Sequence, residues 1–161
     1  MGVRPWTDFA PDACTGDHCE RRRAYLKAAT DLLVADLEEM VGNWRKGGTA
    51  RAALVDGEPK TGLGSILVGL GSLSYGELAG ERMKLGLMLH DPEEEHDCFS
   101  DNTHNSHYYD ALGIANVYLG HYERVDGSEV AGTSLSDLVA AADPDLDAEM
   151  RARLAATLAA M

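Results

Sequence analysis

The sequence predicts an all-α fold, a helical bundle in which any sheet is minor. Apolar residues recur at steps of three and four over long stretches, which is the spacing of one face of a helix. With 161 residues, of which 45% are apolar, the chain can bury one core of single-domain size or part of a larger one. The turn residues Asp126-Gly127 leave room only for a short hairpin.

The charge of the chain limits its partners. Acidic side chains number 27 and basic ones 14, which gives a formal net charge of -13. Such a surface repels phosphate backbones and anionic lipid, so we expect no nucleic-acid partner. Metal cations or cationic ligands suit this charge, although solubility alone also explains an acidic surface. No apolar run reaches the ~18 residues that cross a bilayer, and the N-terminal residues lack the pattern of a secretion signal.

Residues 1–19 are predicted to be an irregular segment that holds a pair of cysteines. Cys14 and Cys19 flank a turn-like stretch with a glycine, which allows the two Cα atoms to come within disulfide range. A disulfide is our expectation, with two reduced thiols as one alternative and a metal site that includes His18 as another. The spacing matches no common zinc pattern, and Cys98 is expected to stay unpaired.

The first main helix is predicted over residues 20–46. Its apolar stripe advances by three or four residues at each step and consists of Leu26, Ala29, Leu33, Leu37, Met40 and Trp44. Gly47-Gly48 ends the helix, because glycine readily takes the left-handed conformation found at helix ends. A linker follows, up to Pro59.

The second main helix, predicted over residues 62–90, carries carboxylates in its apolar stripe. At about 100° per residue, the centre of the apolar face is formed by Leu63, Leu67, Leu70, Leu85 and Met88. The positions that continue this line are Ser74, Glu77 and Glu81, so both carboxylates are expected to point into the core. An ionised carboxylate is costly to bury without a partner. We therefore expect an Arg or Lys from a facing helix, or a metal or ligand site.

A third main helix is predicted over residues 103–122, and short C-terminal helices over residues 134–161. His104 and His107, three residues apart, share one edge of the third helix. Inward-facing Glu and His side chains on bundled helices are how metal sites are built in helical proteins. The second and third helices therefore indicate a metal or ligand site. The chain lacks the HExxH, paired CxxC, phosphate-loop and nucleophile-elbow motifs that would specify its chemistry.

Two long runs resemble a known family. "GELAGERMKLGL" (76–87) and "EEHDCFSDNTHNSHYYDALGIANVYLG" (94–120) are similar to the C-terminal half of the imelysin domain. Three further stretches match more loosely, namely "RPWTDF", "CTGDHCERRRAYLKAATDLLVADLEEMV" and "GTSLSDLV". On these motifs the chain is identified as a member of the imelysin family, bacterial envelope proteins that include iron-regulated protein A and were once classed as metallopeptidases.

The resemblance implies a fold of two bundle-like halves with a polar site between them, of which this chain is one half. It also implies a periplasmic or outer-membrane-associated protein that helps to acquire a metal, with iron favoured and zinc as the second choice. The residues to which it points as metal or ligand groups are Glu77, Glu81, Asp101 and His104. The supporting residues are Ser74, Arg82, Asn102, Thr103 and His107. We expect a non-enzymatic binding protein, with a metallopeptidase and a purely structural cluster as alternatives.

The chain departs from the family pattern in one signature. A GxHxxE motif, which supplies a histidine and a glutamate to the site in relatives, is absent from these residues. We therefore expect a partial domain for which the missing N-terminal half is a partner. Without that half, apolar stripes stay uncovered, so self-association is also expected.

Overall fold

The computed structural model describes residues 5–10, 14–97 and 99–161. The chain divides into two compact units, one up to Leu67 and one from Val68 to Met161. The helices are α1 (Cys19–Trp44), α2 (Thr49–Val55), α3 (Pro59–Gly71), a π-helix (Ser72–Lys84), α4 (Leu85–Leu89), α5 (Thr103–Leu119), α6 (Leu135–Ala142) and α7 (Pro144–Ala160). Short 3-10 turns lie at Trp6–Phe9 and Pro92–Glu94. The prediction of an all-α fold is confirmed.

The strands of the structure form one hairpin within the described residues. β1 (His121–Glu123) pairs antiparallel with β2 (Glu129–Ala131), and Tyr122 lies opposite Val130. All six strand residues are exposed, so the hairpin contributes nothing to a core. This agrees with the expectation that the turn at Asp126-Gly127 makes no sheet of consequence.

The start of the first unit is held by Asp8 and by a disulfide. Asp8 is 1% exposed, and its Oδ1 accepts hydrogen bonds from the backbone N–H (2.9 Å) and the hydroxyl (2.6 Å) of Thr15. Cys14 and Cys19 are bonded through their sulfurs, with their Cα atoms 6.1 Å apart. The segment predicted to be irregular therefore contains a 3-10 turn and a closed loop. Cys98 lies outside the described residues.

α1 starts at Cys19, one residue before the predicted range of 20–46, and ends at Trp44, two residues before the end of that range. It packs against α2 and against the turn Trp6–Phe9. None of the residues of α1 is buried. The large members of its predicted stripe are 47% to 57% exposed, and they are Leu26, Leu33, Leu37, Met40 and Trp44.

The second main helix runs without a break from Pro59 to Leu89, and its middle is π-helical over the 13 residues Ser72–Lys84. A π-helix has i→i+5 hydrogen bonds, so positions five apart share a face. Leu73 and Leu78 follow this spacing into the core, and Met83 lines a cavity beside it. The α-helical wheel expected over residues 62–90 is therefore wrong in this segment.

The core of the second unit lies where the π-helix, α5 and α7 meet. Leu78 and Ala111, each 5% exposed, and Ile114 form its centre. Leu70, Leu73, Leu154 and Leu158 are packed against this centre. α6 contacts both α5 and α7 and completes the unit. A mostly apolar cavity of about 250 Å³ borders the core, and Ser74 lines it together with Leu78.

α5 begins at Thr103, as expected, but it ends at Leu119 rather than at residue 122. Gly120 takes the left-handed conformation with φ 63°, which stops the helix. A Cβ at this position would lie 2.8 Å from the Cβ of Ser134, so only glycine fits the approach of the chain before α6. Residues 121–123 then form β1 instead of a further helical turn.

Candidate functional site

The two carboxylates expected in the core lie elsewhere. The Glu77 side chain is 47% exposed, and Glu81 is exposed. Leu78 occupies the inward position between them, because the π-helix turns less at each residue than the α-helix assumed from the sequence. The expected inward orientation is therefore wrong for Glu81 and only partly right for Glu77. Among the described residues, Glu81 makes no side-chain hydrogen bond or ion pair.

Arg82 is the centre of a polar cluster at the end of the π-helix. Its Nη2 lies 3.4 Å from Oε2 of Glu77, and the side chain of Arg82 is only 25% exposed. The two residues are five apart, which makes them neighbours on a π-helix. On its other side, Nη1 of Arg82 contacts both ring nitrogens of His96, with Nδ1 at 2.7 Å and Nε2 closer. The arginine partner expected for a glutamate thus comes from the same helix and not from a facing one.

His107 joins this group from α5. Its ring stacks on that of His96, with centroids 6.1 Å apart and an interplanar angle of 24°. Burial first, and then the neighbouring His96, lowers the pKa of His107 below its ordinary value, so the imidazole is neutral at pH 7. We call Glu77, Arg82, His96 and His107 the Arg82 cluster.

Two nitrogen atoms of the Arg82 cluster are buried without a hydrogen-bond partner among the described residues. They are Nε of Arg82 and Nε2 of His107. Arg82 and His107 both line an open groove of about 440 Å³, which also has Asp91, Glu94 and Glu95 along its wall. Both atoms are inaccessible to solvent, so a group in the groove meets other parts of these two side chains.

The segment before α5 is tied to the helix by hydrogen bonds. The backbone N–H of Asp97 donates to Oγ1 of Thr103 at 3.0 Å, and that hydroxyl donates to Oε1 of Glu95 at 2.9 Å. The hydroxyl of Ser106 donates to Oδ2 of Asp97. Thr103 therefore holds the segment that carries His96 beside the π-helix.

The remaining predicted residues lie at the surface. Asp101 has a left-handed backbone with φ 54°, and both it and His104 are exposed and make no side-chain hydrogen bond or ion pair in the described part of the chain. Asn102 accepts a hydrogen bond from Nδ2 of Asn105 at 2.8 Å and does not cap α5 with its side chain. No described contact joins the four residues predicted as ligands. Their role as ligands stays a prediction.

The residues of the site do not fit a bare metal ion in this arrangement. Within the described ranges, no three His, Cys, Asp or Glu side chains converge closely enough to hold one. The guanidinium of Arg82 carries a permanent positive charge and lies between Glu77 and His96, the two groups that a cation would use. The permanent charge of Arg82, whose side chain is 25% exposed, suits an anionic or acceptor group better than a cation.

The sequence analysis missed His96 and Asp97. Both belong to the run 94–120 that carries the family resemblance, but neither was assigned a role at the site. Their contacts depend on the turn of the chain after Pro92, which no helical period predicts. The one available signal was their position in that run.

A second polar group, also missed, joins three helices in the second unit. The hydroxyls of Tyr118 (2.9 Å) and Ser136 donate to Oδ1 of Asp147, and Nε of Arg151 donates to Oδ2 at 2.9 Å. The Ser136 hydroxyl above all, with the Tyr118 hydroxyl and the Arg151 guanidinium as further donors, holds the pKa of Asp147 below its usual value. Burial first, and then the hydrogen bond to Asp147, raises the pKa of Tyr118. Since Tyr118 and Ser136 are buried, this group stabilises the packing of α5, α6 and α7.

Together the fold and the Arg82 cluster define an all-α protein with a polar site where a π-helix meets the segment before α5. The family model described as Imelysin matches residues 1–161, the whole chain, and the chain belongs to the imelysin family. A search of the curated proteins found no match. No helix in the described residues is long and apolar enough to cross a membrane.

Proposed function

We propose that this protein is a non-enzymatic binding protein of the bacterial envelope, periplasmic or outer-membrane-associated, that takes part in acquiring iron or another metal. Membership of the imelysin family supports the general role. The Arg82 cluster is the proposed binding site. The observation that carries this proposal is that Arg82 and His107 line one open groove of about 440 Å³ beside the π-helix.

The π-helix supports a binding role for this cluster. Helical segments with i→i+5 bonds are rare, are usually a single turn, and occur frequently at functional sites. Here the π-helix extends over 13 residues and carries both Glu77 and Arg82.

Proteolysis has less support than binding. A zinc peptidase needs three protein ligands, an activated water and a general base. The described residues bring no three such ligands together. A purely structural role for the cluster is the alternative with a specific observation in its favour, because Arg82 already neutralises Glu77 at 3.4 Å.

Titration calorimetry with two double variants tests the proposal. Glu77→Gln/His107→Asn changes the Arg82 cluster, whereas Glu81→Gln/His104→Asn changes two exposed residues that the sequence predicts as ligands. The probes are ferrous, zinc and copper ions and ferric citrate. We expect the first variant to weaken binding of at least one probe tenfold or more, and the second to leave it within twofold.

Three outcomes contradict the proposal. If wild type binds none of the probes, the protein is not the binding protein proposed here. A loss confined to the Glu81/His104 variant would instead support the ligands predicted from sequence. If Glu77→Gln/His107→Asn loses folding stability with no change in any affinity, the cluster is structural.

The exposed stripe of α1 supports self-association as a second part of the proposal. Basic residues of α1 concentrate toward its N-terminal end, at 21–23 and Lys27, and acidic ones toward its C-terminal half, at Asp36 and 38–39. Two antiparallel copies of α1 would therefore place opposite charges together while covering both stripes. Light scattering after size exclusion should give a dimer that Leu33→Asp/Leu37→Asp converts to a monomer. A monomeric wild type would contradict self-association through this stripe.

A further inference from the structure

The disulfide between Cys14 and Cys19 lies in surroundings that stabilise a thiolate. Nη2 of Arg22 lies 3.1 Å from Sγ of Cys14 and 3.4 Å from Sγ of Cys19. Cys19 is also the first residue of α1, a helix of 26 residues. Arginine side chains and helix N-termini both stabilise the thiolate form of a neighbouring cysteine. A neutral disulfide gains far less from a positive charge, so these contacts favour the reduced pair over the bond.

Hydrogen bonds hold the loop between the two cysteines without help from the disulfide. Thr15, inside the loop, donates to Oδ1 of the buried Asp8 from its backbone N–H at 2.9 Å and from its hydroxyl at 2.6 Å. Nη1 of Arg22 donates to the backbone carbonyl of Asp17 at 2.7 Å. Reduction therefore leaves the two thiols side by side next to Arg22, where the bond can form again.

An external thiol has access to this pair, because both cysteines are partly exposed. An open groove of about 500 Å³ lies at the start of α1 and shares Arg22 with the disulfide. It is lined by Phe9, His18, Arg21, Arg22, Tyr25 and Leu26. The two arginines keep their positive charge at every accessible pH. A thiol that carries a carboxylate therefore suits this groove better than a cationic thiol.

We infer that Cys14 and Cys19 form a thiol–disulfide exchange site for a carboxylate-bearing thiol. The thiolate of one such molecule attacks Sγ of Cys14, the disulfide breaks, and Cys19 leaves as a thiolate beside Arg22. A second thiolate attacks the external sulfur of the mixed disulfide and releases Cys14, which takes up a proton. Two external thiols are thereby oxidised to one disulfide, and their two electrons reduce the bond in the protein. The Arg82 cluster takes no part in this exchange.

Reduction of the folded, full chain by glutathione tests the exchange site. After an acid quench and denaturation, a maleimide polyethylene glycol label counts the free thiols on a gel, one in the oxidised chain and three in the reduced chain. Glutathione should reduce wild type in the absence of urea, whereas structural disulfides of secreted proteins resist the glutathione pool. A disulfide that glutathione reduces only after urea has unfolded the protein would overturn the exchange role.

Two variants with the same loss of charge test the role of Arg22. At equilibrium with dithiothreitol, Arg22→Gln should need at least a fivefold higher ratio of reduced to oxidised reagent for half reduction, because the thiolate loses its guanidinium. Arg21→Gln, at the adjacent exposed position, should stay within twofold of wild type. Arg22→Lys keeps the charge and should recover most of the difference. Equal shifts in the two glutamine variants, or no shift in folded Arg22→Gln and Arg22→Lys, would refute the stabilisation by Arg22. Circular dichroism shows that each variant is folded.

The rates with thiols of opposite charge test the groove. Glutathione carries carboxylates, whereas cysteamine carries an amine, and each rate is divided by the rate of the same thiol with a small disulfide to remove its intrinsic reactivity. Wild type should favour glutathione, and Arg21→Gln should lower this preference at least threefold because it removes a charge from the groove. An unchanged preference would contradict selection of an anionic thiol. Peptide mass spectrometry of quenched samples should find glutathione on Cys14, and glutathione on Cys19 alone would contradict the order of attack.

Discussion

Replacing Leu78 by alanine should destabilise the second unit by about 3 kcal/mol, whereas replacing Glu81 by alanine should change its stability by less than about 0.5 kcal/mol. These two variants distinguish the π-helix from an α-helix over the same residues. An α-helix over residues 62–90 places Glu81 in the core and Leu78 off its centre line. The π-helix places Leu78 in the core, at 5% exposure, and Glu81 in solvent.

The magnitude follows from the surroundings of Leu78. Leucine to alanine removes three carbon atoms, and each buried methylene contributes about 0.8 kcal/mol, which gives about 2.4 kcal/mol before any cavity cost. The full range for such changes is about 2–5 kcal/mol. Leu78 already borders a cavity of about 250 Å³, so it has fewer contacts to lose than a side chain packed on all sides. The expected loss therefore lies in the lower half of that range.

Urea unfolding followed by far-UV circular dichroism measures both variants. The slope of the free energy against urea should stay constant, so that a shift in midpoint reports stability alone. Leu87→Ala is the matched control, because Leu87 lies on the same continuous helix and is 74% exposed. A larger loss for Glu81→Ala than for Leu78→Ala would refute the π-helical assignment of the core. So would a loss below about 1 kcal/mol at Leu78.

Three further predictions concern the polar groups and the disulfide. Tyr118→Phe should lower the unfolding free energy by about 1 kcal/mol, because the hydrogen bond to Asp147 is lost. Tyr122→Phe, at a half-exposed position, should leave the unfolding free energy unchanged. Equal losses for the two variants would contradict this prediction. Because the pKa of Asp147 is lower in the folded protein, its stabilisation is complete above the unfolded value of about 3.9 and is lost as pH falls through the folded pKa. Asp147→Asn should therefore make the melting temperature fall less steeply as the pH is lowered. An unchanged dependence of melting temperature on acid pH would be evidence that Asp147 does not contribute in this way. Cys14→Ser/Cys19→Ser should destabilise the first unit by about 2 kcal/mol. Tryptophan fluorescence measures this loss, because both tryptophans lie in the first unit. Wild type should show one free thiol under denaturing conditions, and three free thiols would contradict the disulfide.

The sequence was sufficient for the fold class because helical spacing is a local property. The step pattern of α1 and the start of α5 at Thr103 needed no tertiary information, and the starts and ends of the main helices lie within about three residues of expectation. The end of α5 was misjudged because Gly120 was not given its left-handed conformation. Glycine at a helix end was the available signal.

The site was harder to predict because its geometry depends on a change of helical period. The helical projection placed Glu81 in the core because it assumed the geometry of an α-helix. Leu73, Leu78 and Met83 recur at intervals of five residues, which indicates the π-helix. Glu77 was predicted from the helical spacing and from the resemblance, and Arg82 from the resemblance alone. The contact with His96 was not, because it depends on how the chain folds back after Pro92.

The period of the π-helix also determines how this segment could be cross-linked. On α1, Lys27 and Asp31 meet at a separation of four residues, as in any α-helix. On the π-helix the corresponding neighbours are five apart, as Glu77 and Arg82 show. A covalent bridge that spans five residues would therefore hold Ser72–Lys84 in its present winding. The same bridge would strain an α-helix, in which positions five apart lie about 140° apart around the axis, so it would also keep Leu78 on the buried face.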